Sequence, residues 1–251
     1  MPVFRFVLEY DGTDFAGWQR QREGERTVQG VLEDALARVV GVRAAVIGAG
    51  RTDAGVHAEG QVASAELETV LAPETLARAL NARLPCDVAV LEATLAPPGF
   101  HARYDARAKV YRYSIWNSRQ PSPLRQRRFV AVRAPLDVEA MREAAQHLAG
   151  CHDFACFETR PEPAAGRAGR STVRRLDRVE LSGSAGGEIQ LELEGSGFLR
   201  HMVRAIAGTL LEVGRARRAP ESLPGLLAGR DRRQAGPTAP AQGLTLVRLR
   251  Y

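Results

Sequence analysis

Two hydrophobic periods alternate along the chain, and they do so twice in the same order. Residues 3–10, "VFRFVLEY", place Phe4, Phe6, Leu8 and Tyr10 on one side of a period-two pattern that stops at the turn pair Asp11-Gly12. Residues 28–40 switch to helical spacing through Val28, Val31, Leu32, Ala35, Leu36, Val39 and Val40, with Thr27 placed to cap the helix. A short apolar strand, "AAVIGA" (44–49), a strand at 61–67, a helix at about 74–84 and a strand at 87–94 complete a first half. The second half repeats the scheme with a strand at 109–116, a helix over 137–150 and strands "RRLDRVELSG" and "EIQLELEG". A helix from about 198 to 214 and the closing strand "LTLVRLRY" follow. Such an order predicts an α+β fold: two strand–helix–strand–strand–helix–strand halves, divided as 1–105 and 106–251, in a largely antiparallel mixed sheet with helices on one face. No sequence similarity between the halves is visible, so the duplication is read from pattern alone.

Two stretches resist this reading. Residues 159–171 and 215–242 are rich in Pro, Gly, Ala and Arg, a composition that predicts solvated loops. The alternative is a basic arm that orders on nucleic acid, with "RDRRQ" (230–234) its better candidate. Charge gives that alternative weight. Thirty-five basic against twenty-nine acidic residues leave a formal +6, and Lys109 is the only lysine. A codon bias toward arginine explains part of the Lys-to-Arg ratio but not the net excess, which favours a polyanionic partner. No run of about 18 apolar residues is present to span a bilayer, and Arg5, Glu9 and Asp11 interrupt what would be the apolar stretch of an export signal. Three cysteines, an odd number, fit a reducing cytoplasm better than a disulfide framework.

The stretch "GAGRTDAGVH" (48–57) sets Arg51, Asp53 and His57 among five glycines and alanines, which fill little core volume. Its Gly-x-Gly has Asp53 where a dinucleotide-binding loop needs a third glycine, and a carboxylate there would repel a pyrophosphate. A backbone able to bend sharply makes sense if it presents a charged pair. Arg51 and Asp53, two apart, share a side of an extended segment and can form an ion pair. Burial raises an aspartate's pKa by up to about 3–5 units and an adjacent arginine lowers it by about 1–3, so Arg51 would offset desolvation and aim a carboxylate nucleophile.

Three more constellations carry weight. "GSGFLRHMVRAIAG" (195–208) sets Leu199, Met202, Val203, Ile206 and Leu210 on a buried stripe, with Arg200 and Arg204 flanking it four residues apart. "KVYRYSIW" (109–116) is a basic strand with interleaved aromatics, which is ordinary core or a surface that stacks bases. His147, Cys151, His152 and Cys156 match no common zinc spacing, so no metal is expected.

Five segments then converge. "EYDGTDFAGWQRQ" (9–21), "GAGRTDAGVHAEGQV" (48–62), "FHARYDARAKVYRY" (100–113), "GSGFLRHMVRAIAGTLLEVG" (195–214) and "APAQGLTLVRLRY" (239–251) resemble, in order and over nearly the whole chain, the motifs of the bacterial tRNA pseudouridine synthase A family. The resemblance implies isomerisation of uridine to pseudouridine at positions 38–40 of the tRNA anticodon stem-loop, without cofactor, by a homodimer. It implies that Asp53 is the nucleophile and Arg51 its partner. Tyr111 matches the residue that stacks on the target uracil and serves as a base, and Arg204 the basic residue beside the aspartate. Whether the carboxylate adds to C1′ or to C6 stays open. So does a rival of another class, a non-catalytic RNA-binding module, which would need the basic surface and Tyr111 but not Arg51 and Asp53.

Overall fold

The computed structural model describes residues 1–22, 24–159 and 171–251. In chain order they form β1 (Val3–Tyr10), α1 (Val28–Val40), β2 (Ile47–Gly48), β3 (His57–Glu66), α2 (Pro73–Asn81), β4 (Val88–Ala96) and β5 (Ala108–Asn117). Then come β6 (Val130–Val132), α3 (Val138–Gln146), β7 (Gly150–Asp153), β8 (Val173–Gly183), β9 (Glu188–Gly195), α4 (Met202–Gly214), α5 (Ser222–Gly229) and β10 (Leu244–Arg250). The fold is α+β, as the alternating periods predict.

The chain divides into two compact units, Met1–Lys109 with Thr245–Tyr251, and Val110–Leu244. The closing strand thus belongs with the first unit, where the sequence-based boundary at 105/106 left it in the second.

In the first unit the strand order is β4-β1-β3-β10, with β2 also paired to β3. β1 lies antiparallel to both β3 and β4, and β10 runs parallel to β3. β3 is therefore bordered on both edges, and nearly all of it is buried. Its composition, "HAEGQVASAE", suits that position because small side chains let covering elements come close. Phe4, Phe6, Leu8 and Tyr10, the face read from the sequence, are all buried. Helix α1 begins where Thr27 accepts a hydrogen bond from the Gly30 N–H and ends at Gly41 in the left-handed region (φ 80°). The strand predicted at 44–49 shrinks to the two residues of β2.

In the second unit the order is β5-β9-β8-β7, with β6 parallel to β5 and β7–β8–β9 antiparallel. Ile189, Leu191 and Leu193 of β9 are buried, matching their strict alternation. Asp137 caps α3 by accepting from the Ala140 N–H at 2.9 Å. Two expectations fail here. Helix α4 starts only at Met202, because His201 sits in the left-handed region at φ 61°, so Arg200 lies off the helix, exposed. The segment 215–242 is not a solvated arm: α5 buries Leu223, Leu226 and Leu227, and two 3-10 turns follow it. Of the other segment predicted to be loose, residues 160–170 lie outside the described residues.

Candidate active site

Asp53 is half-buried in the connection from β2 to β3, and nearly every carbonyl before it has a donor. The only lysine of the chain donates from Nζ to the Ala49 oxygen at 2.6 Å. Gln61 Nε2 donates to the Gly50 oxygen at 2.7 Å, and the Trp18 N–H to the Thr52 oxygen at 3.0 Å. The Asp53 oxygen itself accepts from the Val56 N–H at 3.2 Å, closing a tight turn. The Thr52 and Tyr10 hydroxyls share a buried hydrogen bond of 2.8 Å. Each such bond contributes about 0.5–1.5 kcal/mol net, and a loop so poor in side-chain volume needs them to hold one shape.

Two glycines of the neighbouring segment make the packing possible. A Cβ on Gly12 would stand 2.0 Å from the Val56 oxygen, and one on Gly17, which also has φ 102°, 2.7 Å from the Thr52 oxygen. Gly12 in addition donates its N–H to His57 Nδ1 at 3.1 Å. So "EYDGTDFAGWQRQ" is the seat on which the Asp53 loop rests. Sequence reasoning assigned no role to Tyr10, Trp18, Gln61 or Lys109. Only the glycines and aromatics crowded into 10–18 hinted at a close approach.

Burial sets the proton chemistry of two of these supports. It pushes the Tyr10 hydroxyl up to about 12, against the opposing pull of its bond to Thr52, so this group stays a neutral phenol. Burial, helped by the positive field of Arg103, draws the Lys109 ammonium down to about 8.

Arg51 departs from expectation. It is exposed, and no hydrogen bond or ion pair joins it to Asp53 among the described residues. The physical reason is local: residues 51–56 are turn and coil, so the two-residue alternation that would place both side chains on one side does not apply.

The second unit carries the other two predicted residues. Tyr111 on β5 is 8% exposed and packs edge-to-face against Phe198, with ring centroids 5.0 Å apart and an interplanar angle of 81°. Phe198 belongs to the "GSGF" segment, and no period or motif signals that it braces this tyrosine. Arg204 lies in the first turn of α4. Its Nε donates to the Ala239 oxygen at 2.8 Å, and the Ala239 N–H returns a bond to the Arg204 oxygen at 3.0 Å. The strap carrying Ala239 is itself fixed, because the Gly236 N–H donates to Thr209 Oγ1 at 2.9 Å. Tyr113, two residues along β5 from Tyr111, is buried with its hydroxyl donating to the Pro240 oxygen. Burial raises its pKa, and the charge of Arg204 works in the opposite direction.

Asp53 and Arg51 thus stand in the first unit, Tyr111 and Arg204 in the second. Among the described residues, no group of three or more His, Cys, Asp or Glu side chains is placed to hold a metal. Each unit offers its own chemistry: the first a carboxylate on a fixed loop, able to attack an electrophilic carbon, the second a braced phenol, able to hold a planar ring, and an anchored guanidinium, able to balance an anion.

Known proteins are similar to this chain in sequence. The model of a family described as tRNA pseudouridine synthase matches residues 7–105 and 144–251. The chain is 47% identical over its whole length to the full-length tRNA pseudouridine synthase A of Moorella thermoacetica. It is 48% identical to that of Syntrophotalea carbinolica and 46% identical to that of Myxococcus xanthus. Both matches cover all of this chain, with 97% and 92% of the respective relatives. Both the extent of the family match and the full-length identities lead to one conclusion: the chain belongs to the tRNA pseudouridine synthase family.

Proposed function

We propose that the protein isomerises uridine to pseudouridine in tRNA, at positions 38–40 of the anticodon stem-loop, without a cofactor. The observation that carries this reading is the seating of Asp53, whose loop has a donor on the carbonyls of residues 49, 50, 52 and 53. A loop built only to connect two strands needs no such support; one that must hold a nucleophile within a fraction of an ångström does.

In this reading the Asp53 carboxylate adds to the nucleotide at C1′ or at C6. The N1–C1′ bond breaks, and the uracil turns within the site. C5 then bonds to C1′, the C5 proton departs, N1 takes up a proton in its place and the carboxylate leaves unchanged. No electrons are gained or lost overall. The uridine must first leave its stack, at a cost of a few kcal/mol, and a stacking contact with Tyr111 returns roughly 1–3 kcal/mol. In this reading the Tyr111 oxygen takes the C5 proton as its own hydroxyl proton passes to N1, with Phe198 bracing the ring. Arg204 supplies positive charge for Asp53. Arg51, exposed in the free protein, is the cation that turns onto Asp53 or the RNA backbone once substrate covers the loop.

A homodimer acting in the cytoplasm completes the proposal. It is supported by the family resemblance and the three free cysteines, and no helix among the described residues is long and apolar enough to cross a membrane. Sedimentation velocity tests the dimer, with a mass near twice 27.3 kDa expected. The activity is tested by release of the C5 hydrogen from labelled uridine in unmodified tRNA. Release is expected, and is expected to vanish when the uridines at 38–40 are replaced by cytidine. Tight tRNA binding with no release from any uridine would leave an RNA-binding module in place of an enzyme.

A further inference from the structure

Outside the Asp53 loop, the first unit carries one aromatic side chain that the fold does not use. Tyr104 is 76% exposed, the only aromatic among the large hydrophobic side chains left exposed in the described residues. It is nevertheless held in place. Its ring stacks on His101 with centroids 4.2 Å apart and an interplanar angle of 30°.

The His101 ring is locked in turn. Its Nδ1 accepts the N–H groups of Arg103 (3.2 Å) and Tyr104 (3.3 Å), so that nitrogen is an acceptor and the ring cannot rotate without losing both. The His101 N–H donates to Asp105 Oδ2 at 2.8 Å, and its oxygen accepts from the N–H groups of Tyr104 and Asp105 at 3.1 Å. Beneath the turn, Ala102 is fully buried, donates its N–H to Ser64 Oγ and accepts from the Tyr251 hydroxyl at 2.7 Å. A two-ring stack whose outer ring is largely exposed is therefore fixed to the core of the unit.

Its surroundings are cationic. The Arg103 guanidinium stands over the Tyr104 ring, 5.8 Å from its centroid, Arg107 is exposed, and Asp105 of the same turn is committed to the His101 N–H. A preordered, exposed aromatic ring with a mobile guanidinium beside it suits a planar ring linked to a phosphate. An apolar protein partner would want a patch of neighbouring hydrophobic side chains, and residues 101–107 supply none.

We propose that the His101–Tyr104 stack receives an unpaired nucleobase of the RNA substrate, a second base distinct from the isomerised uridine, with Arg103 on its phosphate. This inference rests on the reading of the substrate as RNA. It assigns the turn "HARYD" the task of holding the unpaired strand while the target nucleotide is extruded.

The test is binding of unmodified tRNA transcript by filter retention across a salt series. Tyr104→Ala is expected to weaken Kd by about 5- to 150-fold, the equivalent of one stacked base at about 1–3 kcal/mol. The log–log salt slope should stay unchanged, because stacking releases no counterion. Tyr104→Trp is expected to bind like wild type and Tyr104→Leu like Tyr104→Ala. Arg103→Gln is expected to reduce the salt slope by about 0.7–0.9, one phosphate.

A Tyr104→Ala Kd less than fivefold from wild type overturns the proposal, as does Tyr104→Leu binding as tightly as Tyr104→Trp. Wild-type release of the C5 hydrogen, measured in parallel, separates the two claims. If release occurs while Tyr104→Ala binds normally, only the platform falls. If wild type neither binds tRNA nor releases hydrogen, the functional reading falls and takes the platform with it.

Discussion

The Asp53 loop and helix α4 are both stretches of small residues that carry a candidate site side chain, yet they are held by different means. The loop lies on a seat of larger residues. Tyr10 and Trp18 meet Thr52, Gln61 and Lys109 hold the two carbonyls upstream, and glycines at 12 and 17 let the segments touch backbone to backbone. Helix α4 is held by a strap with hardly any side chain. A Cβ on Gly208 would lie 1.8 Å from the Pro237 oxygen, and the strap continues to Ala239, which exchanges two hydrogen bonds with Arg204. In the loop, side-chain donors fix the backbone. On the helix, a backbone strap fixes a side chain. Glycine in this chain marks places where another segment passes at contact distance, and what each contact immobilises differs.

The comparison can be broken most forcefully at the strap. Gly208→Val puts a branched side chain where the Pro237 carbonyl lies, and neither backbone can yield while the bonds to Arg204 and Thr209 persist. A stability loss of about 3 kcal/mol or more is expected in urea unfolding. A loss under 1 kcal/mol would show that the strap moves freely and does not anchor Arg204. Gly12→Ala tests the loop in the same way. Its Cβ would stand 2.0 Å from the Val56 oxygen, and a loss of about 2–3 kcal/mol is expected, with wild-type stability contradicting the close seat.

A smaller change sharpens the contrast. Tyr10→Phe keeps the ring and removes the hydroxyl that meets Thr52, leaving a buried Thr52 hydroxyl short of a partner. About 1–2 kcal/mol should be lost. The Thr52→Val background should abolish most of that difference if the two hydroxyls act on each other.

The smallest effect is one of pH. Lys109 is drawn down to about 8 in the folded protein from an ordinary lysine value of 10.5, so between those values the unfolded chain binds more protons and stability rises with pH. The rise begins as pH approaches 8 and amounts to less than about 1 kcal/mol between pH 7 and 8. Lys109→Met should lack it. An unchanged pH slope in that variant would remove Lys109 as its source.

How much of this was legible beforehand follows from what a sequence pattern can carry. β1, β9 and α1 were readable because one buried face repeats along a single element, and Thr27 announces a helix start through local chemistry. The strap over α4 was not. Pro237, Gly236 and Gly208 read as breakers or as neutral small residues, and their meaning lies in a contact between segments some 30 residues apart, which no period records. The start of α4 was misplaced because His201 adopts a left-handed conformation that its residue type does not advertise. Asp53 stood out by its setting among small residues. The bond from Tyr10 to Thr52, 42 residues apart in the chain, left no local trace, and the Arg51–Asp53 pair failed because strand alternation was applied to what is a turn.

The account's central claim is that the loop is built to hold a nucleophile, and Asp53→Asn tests it most directly. The amide is nearly isosteric with the carboxylate but cannot add to C1′ or C6, and the loop's backbone bonds are untouched. The measurement is release of the C5 hydrogen from labelled uridine in unmodified tRNA, with tRNA Kd determined on the same preparation. The account predicts no detectable release and a Kd equal to wild type or slightly tighter, since one negative charge near the RNA is gone. Turnover by Asp53→Asn within about tenfold of wild type, a barrier difference of only about 1.4 kcal/mol, would contradict it.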